Sequence, residues 1–339
     1  MKLWPTITYK SDRIRYIISC FTIPLKLNFI IEKLYGDKLN PLHNLIVNSV
    51  KILPKSFIYL FAKKYIAGKT LVAGITVTKK MNADGISATM DILGESVTKR
   101  EDAINFKNQF LELLDIIEYE KLDSNISTKP TQFGLNIGLE FCYEIYVEIV
   151  ERAKKYNNFV RIDMEDSSTT SDIITLYKKL YEKYPENVGI VLQVYLKRTM
   201  DDIIELNKLK TDYRLCKGIY IEPKEIAYKG REEIRDSFID CLNKVIDDDC
   251  YVGIATHDDP IVKRAYKIIE ERKLRRDQYE FQMLYGVQES LRSKINADGH
   301  KMRIYVPFGE QWYFYAIRRL QENPKLAWYI FKSIFPFTK

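Results

Sequence analysis

Polar side chains of a few chemically useful types recur at the far ends of short apolar segments along this chain. Lys129 stands in "ISTKPTQ" (126–132), Asp163 and Glu165 in "FVRIDME" (159–165), and Gln193 in "VGIVLQVYL" (188–196). Lys217 and Tyr220 follow in "YRLCKGIY" (213–220), Thr256 and His257 in "YVGIATH" (251–257), and Tyr305 in "MRIYVP" (302–307). Cations, carboxylates and a histidine are the groups that bind anions and move protons. Any one of them reads equally as a residue facing solvent or capping a helix. Their recurrence at one position of a repeat argues for a shared site. A second pattern lies in "WYFYAIRRLQEN" (312–323), where Tyr315, Arg318, Arg319 and Glu322 are spaced i, i+3, i+4, i+7 and share one helical face. That face is either a surface helix with a salt bridge or a carboxylate clamp carrying its own counter-ion.

The elements that must position these residues alternate regularly. With "ISATMDIL" (86–93) and "YEFQMLY" (279–285), the segments rich in β-branched and aromatic residues number eight. Amphipathic stretches such as "EDAINFKNQFLELLDIIEYEK" and "REEIRDSFIDCLNKVIDD" separate them. Eight β-α repeats over about 250 residues predict an α/β fold, a (β/α)8 TIM barrel, whose chemistry belongs at the C-terminal ends of its strands. A doubly wound open sheet shares the strand count, but the G-x-G-x-x-G of a dinucleotide fold is absent. The expected organisation is a basic helical N-terminal arm (1–69), a catalytic barrel (70–325) and an aromatic C-terminal tail (326–339).

Composition narrows the class. The chain is 46% hydrophobic and 29% charged, as in soluble globular proteins. Its five cysteines form no C-x-x-C, which predicts a reducing, cytoplasmic setting, and its three histidines lack zinc-ligand spacing, so no metal is expected. "AGKTLVAG" (67–74) lacks the first glycine of a P-loop. "RIDMEDS" has three acids that could suggest a metal or paired carboxylates, but Asp163 and Glu165 share a strand face while Asp166 begins the loop, so one acid can serve a lysine instead. "ATHDD" lacks a second histidine and is a weak metal signal. Residues 1–69 hold 12 Lys/Arg against three Asp/Glu, while the remaining 270 hold 41 against 43. A basic arm on a near-neutral body suits an anionic surface, either lipid headgroups or nucleic acid. Its most apolar run, "YIISCFTIPLKLNFII", is interrupted by Pro24, Lys26 and Asn28, is too short for a span and lacks the small-residue cleavage site of a signal peptide.

Taken in order, "MDILGESV", "STKPTQFGL", "RIDMEDS", "VGIVLQVYLKR", "RLCKGIYIEP", "IATHD", "YEFQMLYGV" and "RIYVPFGEQWYFYAIRRLQEN" resemble the FAD-dependent proline dehydrogenases of the short monofunctional bacterial kind. The resemblance covers about residues 65–325. It implies a distorted barrel that holds FAD at its C-terminal face and oxidises L-proline to 1-pyrroline-5-carboxylate, with the last helix lying over the barrel mouth. It further implies that Arg318, Arg319 and Lys129 meet the substrate carboxylate and that Tyr220, Leu284, Tyr305 and Tyr315 wall the ring. Asp163 would pair with the lysine, and Arg214 would stand near the flavin. Met164, Gln193, Cys216, Lys217, Gly218, Thr256 and His257 would contact the cofactor, and Glu322 would pair with the second arginine and approach it.

Two departures stand out. Ile219 occupies a position where a small alanine is common. Strict alternation in "RLCKGIY" would put Arg214 and Tyr220 on one face and Lys217 on the other, so either Gly218 distorts the strand or one of these roles fails. The resemblance also implies a membrane quinone as electron acceptor, and the arm and the tail "KLAWYIFKSIFPF" suit a peripheral contact on the inner face of the cell membrane. Nucleic acid is not expected as a partner, and oligomeric state is not readable. A non-catalytic basic barrel and a flavin enzyme for another cyclic amine, such as hydroxyproline or D-proline, are the competing readings.

Overall fold

The computed structural model describes residues 55–322, with the side chains of Ser56, Phe57 and residues 320–322 left out. The expected arm up to residue 54 and the tail from 326 lie outside the described residues. Eight parallel strands close in sequence order: β1 Ser87–Ile92, β2 Ser124–Thr128, β3 Val160–Ile162, β4 Val188–Gln193, β5 Tyr213–Cys216, β6 Val252–Ala255, β7 Tyr279–Leu284 and β8 Met302–Phe308. The seam is β1 against β8, in register from Ser87 with Arg303 to Ile92 with Phe308.

The outer ring consists of α3 Arg100–Tyr119, α4 Leu139–Lys155, α5 Thr170–Tyr181, α6 Thr199–Leu206, α7 Arg231–Asp247, α8 Asp259–Arg272 and α9 Glu289–Ala297. Each turns an apolar stripe inward; α4 does so with Cys142, Ile145, Tyr146, Ile149, Val150 and Ala153. One continuous apolar core joins these stripes to the strands.

The ring is completed from the wrong end of the chain. α2 Leu71–Ala83 precedes the barrel and packs outside both β1 and β8, where a helix following β8 would ordinarily lie. Gly74 permits the close fit, since a Cβ there would come within 2.8 Å of Phe308 and 2.9 Å of Met90. The last helix, α10 Trp312–Glu322, is thereby displaced and packs on α1 Lys55–Ala62. A separate apolar cluster of Ile58, Ala62, Tyr65, Ile66, Leu93, Trp312, Tyr315, Ala316 and Ile317 holds α1, α10 and the end of β1 together. Residues of the expected arm therefore reach the barrel top. Ala67 N–H donates to Pro307 C=O at 2.9 Å, and Gly309 N–H to Gly68 C=O at 3.0 Å.

Several strands end earlier than their apolar runs suggest. β3 stops at Ile162, so Asp163 and Glu165 lie in the loop beyond it and not on one strand face. β5 stops at Cys216, and Gly218 takes φ +104°, which ends the strict alternation across "RLCKGIY". A Cβ at Gly218 would stand 2.2 Å from the Tyr195 ring, so this backbone position requires glycine.

Candidate active site

Lys129 caps the short 3-10 turn Pro130–Phe133 directly after β2, where Pro130 at the first helical position stiffens the turn. Its ammonium is buried and lies 2.8 Å from Asp91 Oδ2, 3.4 Å from the Tyr305 hydroxyl and 3.9 Å from Asp163. Burial opposes the charge on Lys129, but Asp91 and Asp163 together raise its pKa above the ordinary value. Burial pushes the Asp91 carboxyl up, with Lys129 pulling against it. Asp91 closes β1 and is fully buried, and its other oxygen, Oδ1, has no hydrogen-bond partner among the described residues.

Asp163 binds the neighbouring strands together. It accepts from Ser127 Oγ at 2.6 Å, Arg214 Nη1 at 2.8 Å and the Tyr305 hydroxyl at 3.0 Å. Arg214 is held further by Gln282 Oε1 at 2.5 Å and Ser127 Oγ at 3.0 Å, and its guanidinium stacks 5.3 Å from the Tyr305 ring centroid. Burial lowers its pKa and Asp163 offsets part of that effect. Four strand ends thus converge on one buried network of two carboxylates and two cations, in which each charge has an opposite partner.

α10 forms the roof. Arg318 Nη1 lies 2.6 Å from both carboxylate oxygens of Glu95, which stands in the loop after β1. Lys129, Glu95, Tyr315 and Arg318 line one narrow cavity with Leu93, Gly94, Gln311 and Phe314. The Tyr220 hydroxyl lies within electrostatic reach of Arg318 and Glu95, and burial pushes its pKa up. Arg319 lies 5.2 Å from the Tyr315 ring centroid and acts on His257 from above. Burial first, then Arg319 and Lys217, lower the His257 pKa to about 4, so the ring is neutral. Its Nε2 accepts the Leu284 N–H at 2.9 Å, which leaves the ring proton on Nδ1.

A second group lines the other side of the barrel top. Gln193 Nε2 donates to Glu165 C=O at 2.6 Å, while its Oε1 is buried without a donor among the described residues. Lys217 pairs with Asp258 at 3.0 Å, Asp258 in turn with Arg235 at 2.8 Å, and Asp258 N–H donates to Thr256 Oγ1 at 3.1 Å. The Cys216 thiol faces Leu192 C=O at 3.7 Å, and burial raises its pKa to about 12, so it stays protonated. Flavin ring systems offer N–H donors and carbonyl acceptors. The unfilled Gln193 oxygen and the Lys217 ammonium suit that donor set.

The structure brings together Lys129, Asp163, Arg214, Tyr220, Tyr305, Tyr315 and Arg318 at the mouth, with Leu284, His257 and Arg319 adjoining. It brings Gln193, Cys216, Lys217, Gly218 and Thr256 to neighbouring strand ends. Met164 differs, because its side chain is packed into the apolar core. The Glu322 side chain lies outside the described residues. Sequence reasoning missed two carboxylates, Asp91 and Glu95. Both stand in "MDILGESV", the strand end whose acids went unassigned although strand-end position alone marked them. Among the described residues, no group of three or more His, Cys, Asp or Glu could hold a metal ion, and no helix is long and apolar enough to cross a membrane.

Comparison with known proteins matches residues 75–327 to the family described as "Proline dehydrogenase". "Proline dehydrogenase 2" of Bacillus subtilis is 34% identical over 273 residues, covering 80% of this chain and 90% of that protein. "Proline dehydrogenase" of Deinococcus radiodurans is 27% identical over 289 residues, covering 84% and 93%. Among solved structures, proline utilization A of Bdellovibrio bacteriovorus, inactivated by N-propargylglycine, aligns with a TM-score of 0.73 at 23% identity. That alignment covers 82% of this chain and 34% of the other, so the chain spans about a third of that larger protein and shares its barrel fold. The Corynebacterium freiburgense counterpart gives a TM-score of 0.67 at 21% identity, covering 89% and 35%.

Proposed function

This chain belongs to the proline dehydrogenase family, and on that premise we propose that it oxidises L-proline to 1-pyrroline-5-carboxylate with FAD and passes the electrons to a membrane quinone. The observation that carries the reading is the pairing of a cationic roof with an anion-balanced floor around one small cavity. Arg318 stands above, and Lys129, with its partners Asp91 and Asp163, stands below.

A substrate carboxylate reaching this site would displace Glu95 from Arg318 to take its planar, bidentate donor face, and Lys129 adds a point charge. Arg319, on the same turn of α10, completes the clamp. Tyr305 and Tyr315 supply flat apolar walls that fix a five-membered ring, and Tyr220 and Leu284 close its sides. Asp163 holds the Tyr305 hydroxyl and Arg214 stacks on its ring, and together they keep the floor from shifting when the ring binds. A ring ammonium placed among these cations loses its proton more readily, and the neutral amine is the form that releases hydride. Bound flavin would supply the two-electron acceptor, held by Gln193, Cys216, Lys217, Gly218, Thr256 and His257, with the Met164 backbone and Glu322 as further contacts. The basic arm and aromatic tail support the quinone reading by their chemistry, since lysines and aromatic rings together favour a lipid interface.

The test is an absorbance spectrum of the purified protein, repeated after anaerobic addition of L-proline. A flavin spectrum that bleaches supports cofactor and substrate together. A flavin that L-proline leaves oxidised overturns the substrate assignment, and a protein that takes up no FAD overturns the whole reading.

A further inference from the structure

We infer that Glu165 is a positioning residue that holds both halves of the carboxylate clamp in place through Thr131. Glu165 is buried just beyond β3. Its Oε1 accepts the Thr131 N–H at 2.8 Å and its Oε2 accepts the Thr131 hydroxyl at 2.5 Å. With its proton committed to the carboxylate, that hydroxyl can only accept from elsewhere. It takes the Ser96 N–H at 3.0 Å, and Thr131 C=O takes the Val97 N–H at 3.0 Å. Gln132 Nε2 adds a bond to Ile92 C=O at 2.9 Å.

Two clamp residues hang on this strut. Lys129 lies two positions before Thr131, at the head of the same turn. Glu95, the partner of Arg318, lies directly before Ser96, which takes a left-handed φ of +55°. A serine holds that conformation only where bonds on both sides fix it. The Glu165 main-chain oxygen also receives Gln193 Nε2, so the same residue reaches the proposed flavin side.

The strut depends on ionisation. An ionised Glu165 only accepts, and so fixes the Thr131 hydroxyl as the donor between them. A protonated one carries a donor where the Thr131 hydroxyl also points a donor, so that bond must reverse or break and the hydroxyl loses the acceptor that orients it. Burial raises the Glu165 pKa to about 7, with the Thr131 bonds and Lys129 pulling it down and Asp163 pushing it up. The other groups facing it are Cys142 and Tyr146 of α4 and Tyr220 beyond β5. Burial raises all three, and the aspartates keep Lys129 charged.

The inference rests on the reading of this cavity as a site for a ring carboxylate. It is tested with the FAD-loaded full chain and tetrahydrofuran-2-carboxylate, a ring acid without an amine that stays ionised throughout, titrated calorimetrically from pH 6 to 8.5. The wild type is expected to bind about fivefold more tightly above pH 7 than below it, a difference of about 1 kcal/mol. Glu165→Gln should bind at the weak level throughout, with its melting temperature little changed. Thr131→Val should likewise lose the step, while Thr131→Ser, which keeps the hydroxyl, should retain it; this pair decides the matter if Glu165→Gln does not fold. A wild type that binds with no pH step, or a Glu165→Gln protein that keeps it, overturns the inference while leaving the site reading intact. A wild type that neither binds this acid nor bleaches with L-proline overturns the site reading and the inference with it.

Discussion

At the scale of single residues, the site is an exercise in charge balance. Three cations are expected around the carboxylate, with Asp163 and Glu322 as counter-charges; among the described residues Lys129 pairs with Asp91 at 2.8 Å and Asp163 at 3.9 Å, and Arg318 with Glu95. Because Asp91 is fully buried, Asp91→Asn leaves an ammonium in low dielectric with only the more distant Asp163. It should cost on the order of 3 kcal/mol, as removal of one member of a buried pair does. Urea denaturation measures that loss, and a change within about 0.5 kcal/mol would mean that Lys129 draws its support from elsewhere. Arg318 acts differently. Its side chain lies at the cavity mouth and contributes little to folding, so Arg318→Met should raise the KM for proline more than tenfold with the fold unchanged. An unaltered KM would remove Arg318 from the clamp.

At the scale of elements, the decisive feature is which helix covers β8. α2 takes the outer position, and α10 is left to roof the site against α1. The segment joining α1 to α2 is fixed at Gly286, where φ is +74° and a Cβ would lie 1.7 Å from the Lys64 carbonyl oxygen. Gly286→Ala should therefore displace that segment and cost about 3 kcal/mol, combining backbone strain with overpacking. Trypsin should then cut faster at Lys63, Lys64 or Lys69 than in the wild type; equal cutting rates would show the segment to be held by other contacts. The eight strands and their order were legible because parallel barrel strands are buried on both faces and read as β-branched runs. Their ends were not. "FVRIDME" continues alternating past Ile162, and the pairing with β2 and β4, which on both sides stops at Ile162, ends β3 there. The displaced helix was legible only through resemblance, because nothing in "WYFYAIRRLQEN" says which surface it lies on. Strand-end position marks Asp91 and Glu95, but their pairing was illegible for a related reason: their partners lie 38 and 223 positions away, a pairing that only the closed barrel creates.

At the scale of the whole molecule, the two ends of the barrel carry different kinds of charge. The C-terminal end holds the candidate site. Toward the start of the strands, Arg303 pairs with Glu280 at 2.7 Å and Arg161 with Asp212 at 2.5 Å, a layer whose natural role is stability. The layers are linked, since Gln282 Nε2 donates to Glu280 at 2.7 Å while its oxygen holds Arg214. Burial acts to raise the Glu280 pKa, but Arg303 and Lys301 overcome it and hold the carboxyl at about 2. Unfolded, the same carboxyl titrates near 4.5. The folded pKa is the lower one, so the stabilisation is complete above pH 4.5 and drains away as pH falls towards 2. At about 1.4 kcal/mol per unit, the full shift is worth roughly 3 kcal/mol. Between pH 5 and pH 3 the stability advantage of the wild type over Glu280→Gln should therefore narrow by about 2 kcal/mol, as read from urea midpoints. An advantage that stays constant over that range would mean that Glu280 takes up its proton as readily folded as unfolded, and that Arg303 is neutralised by another group.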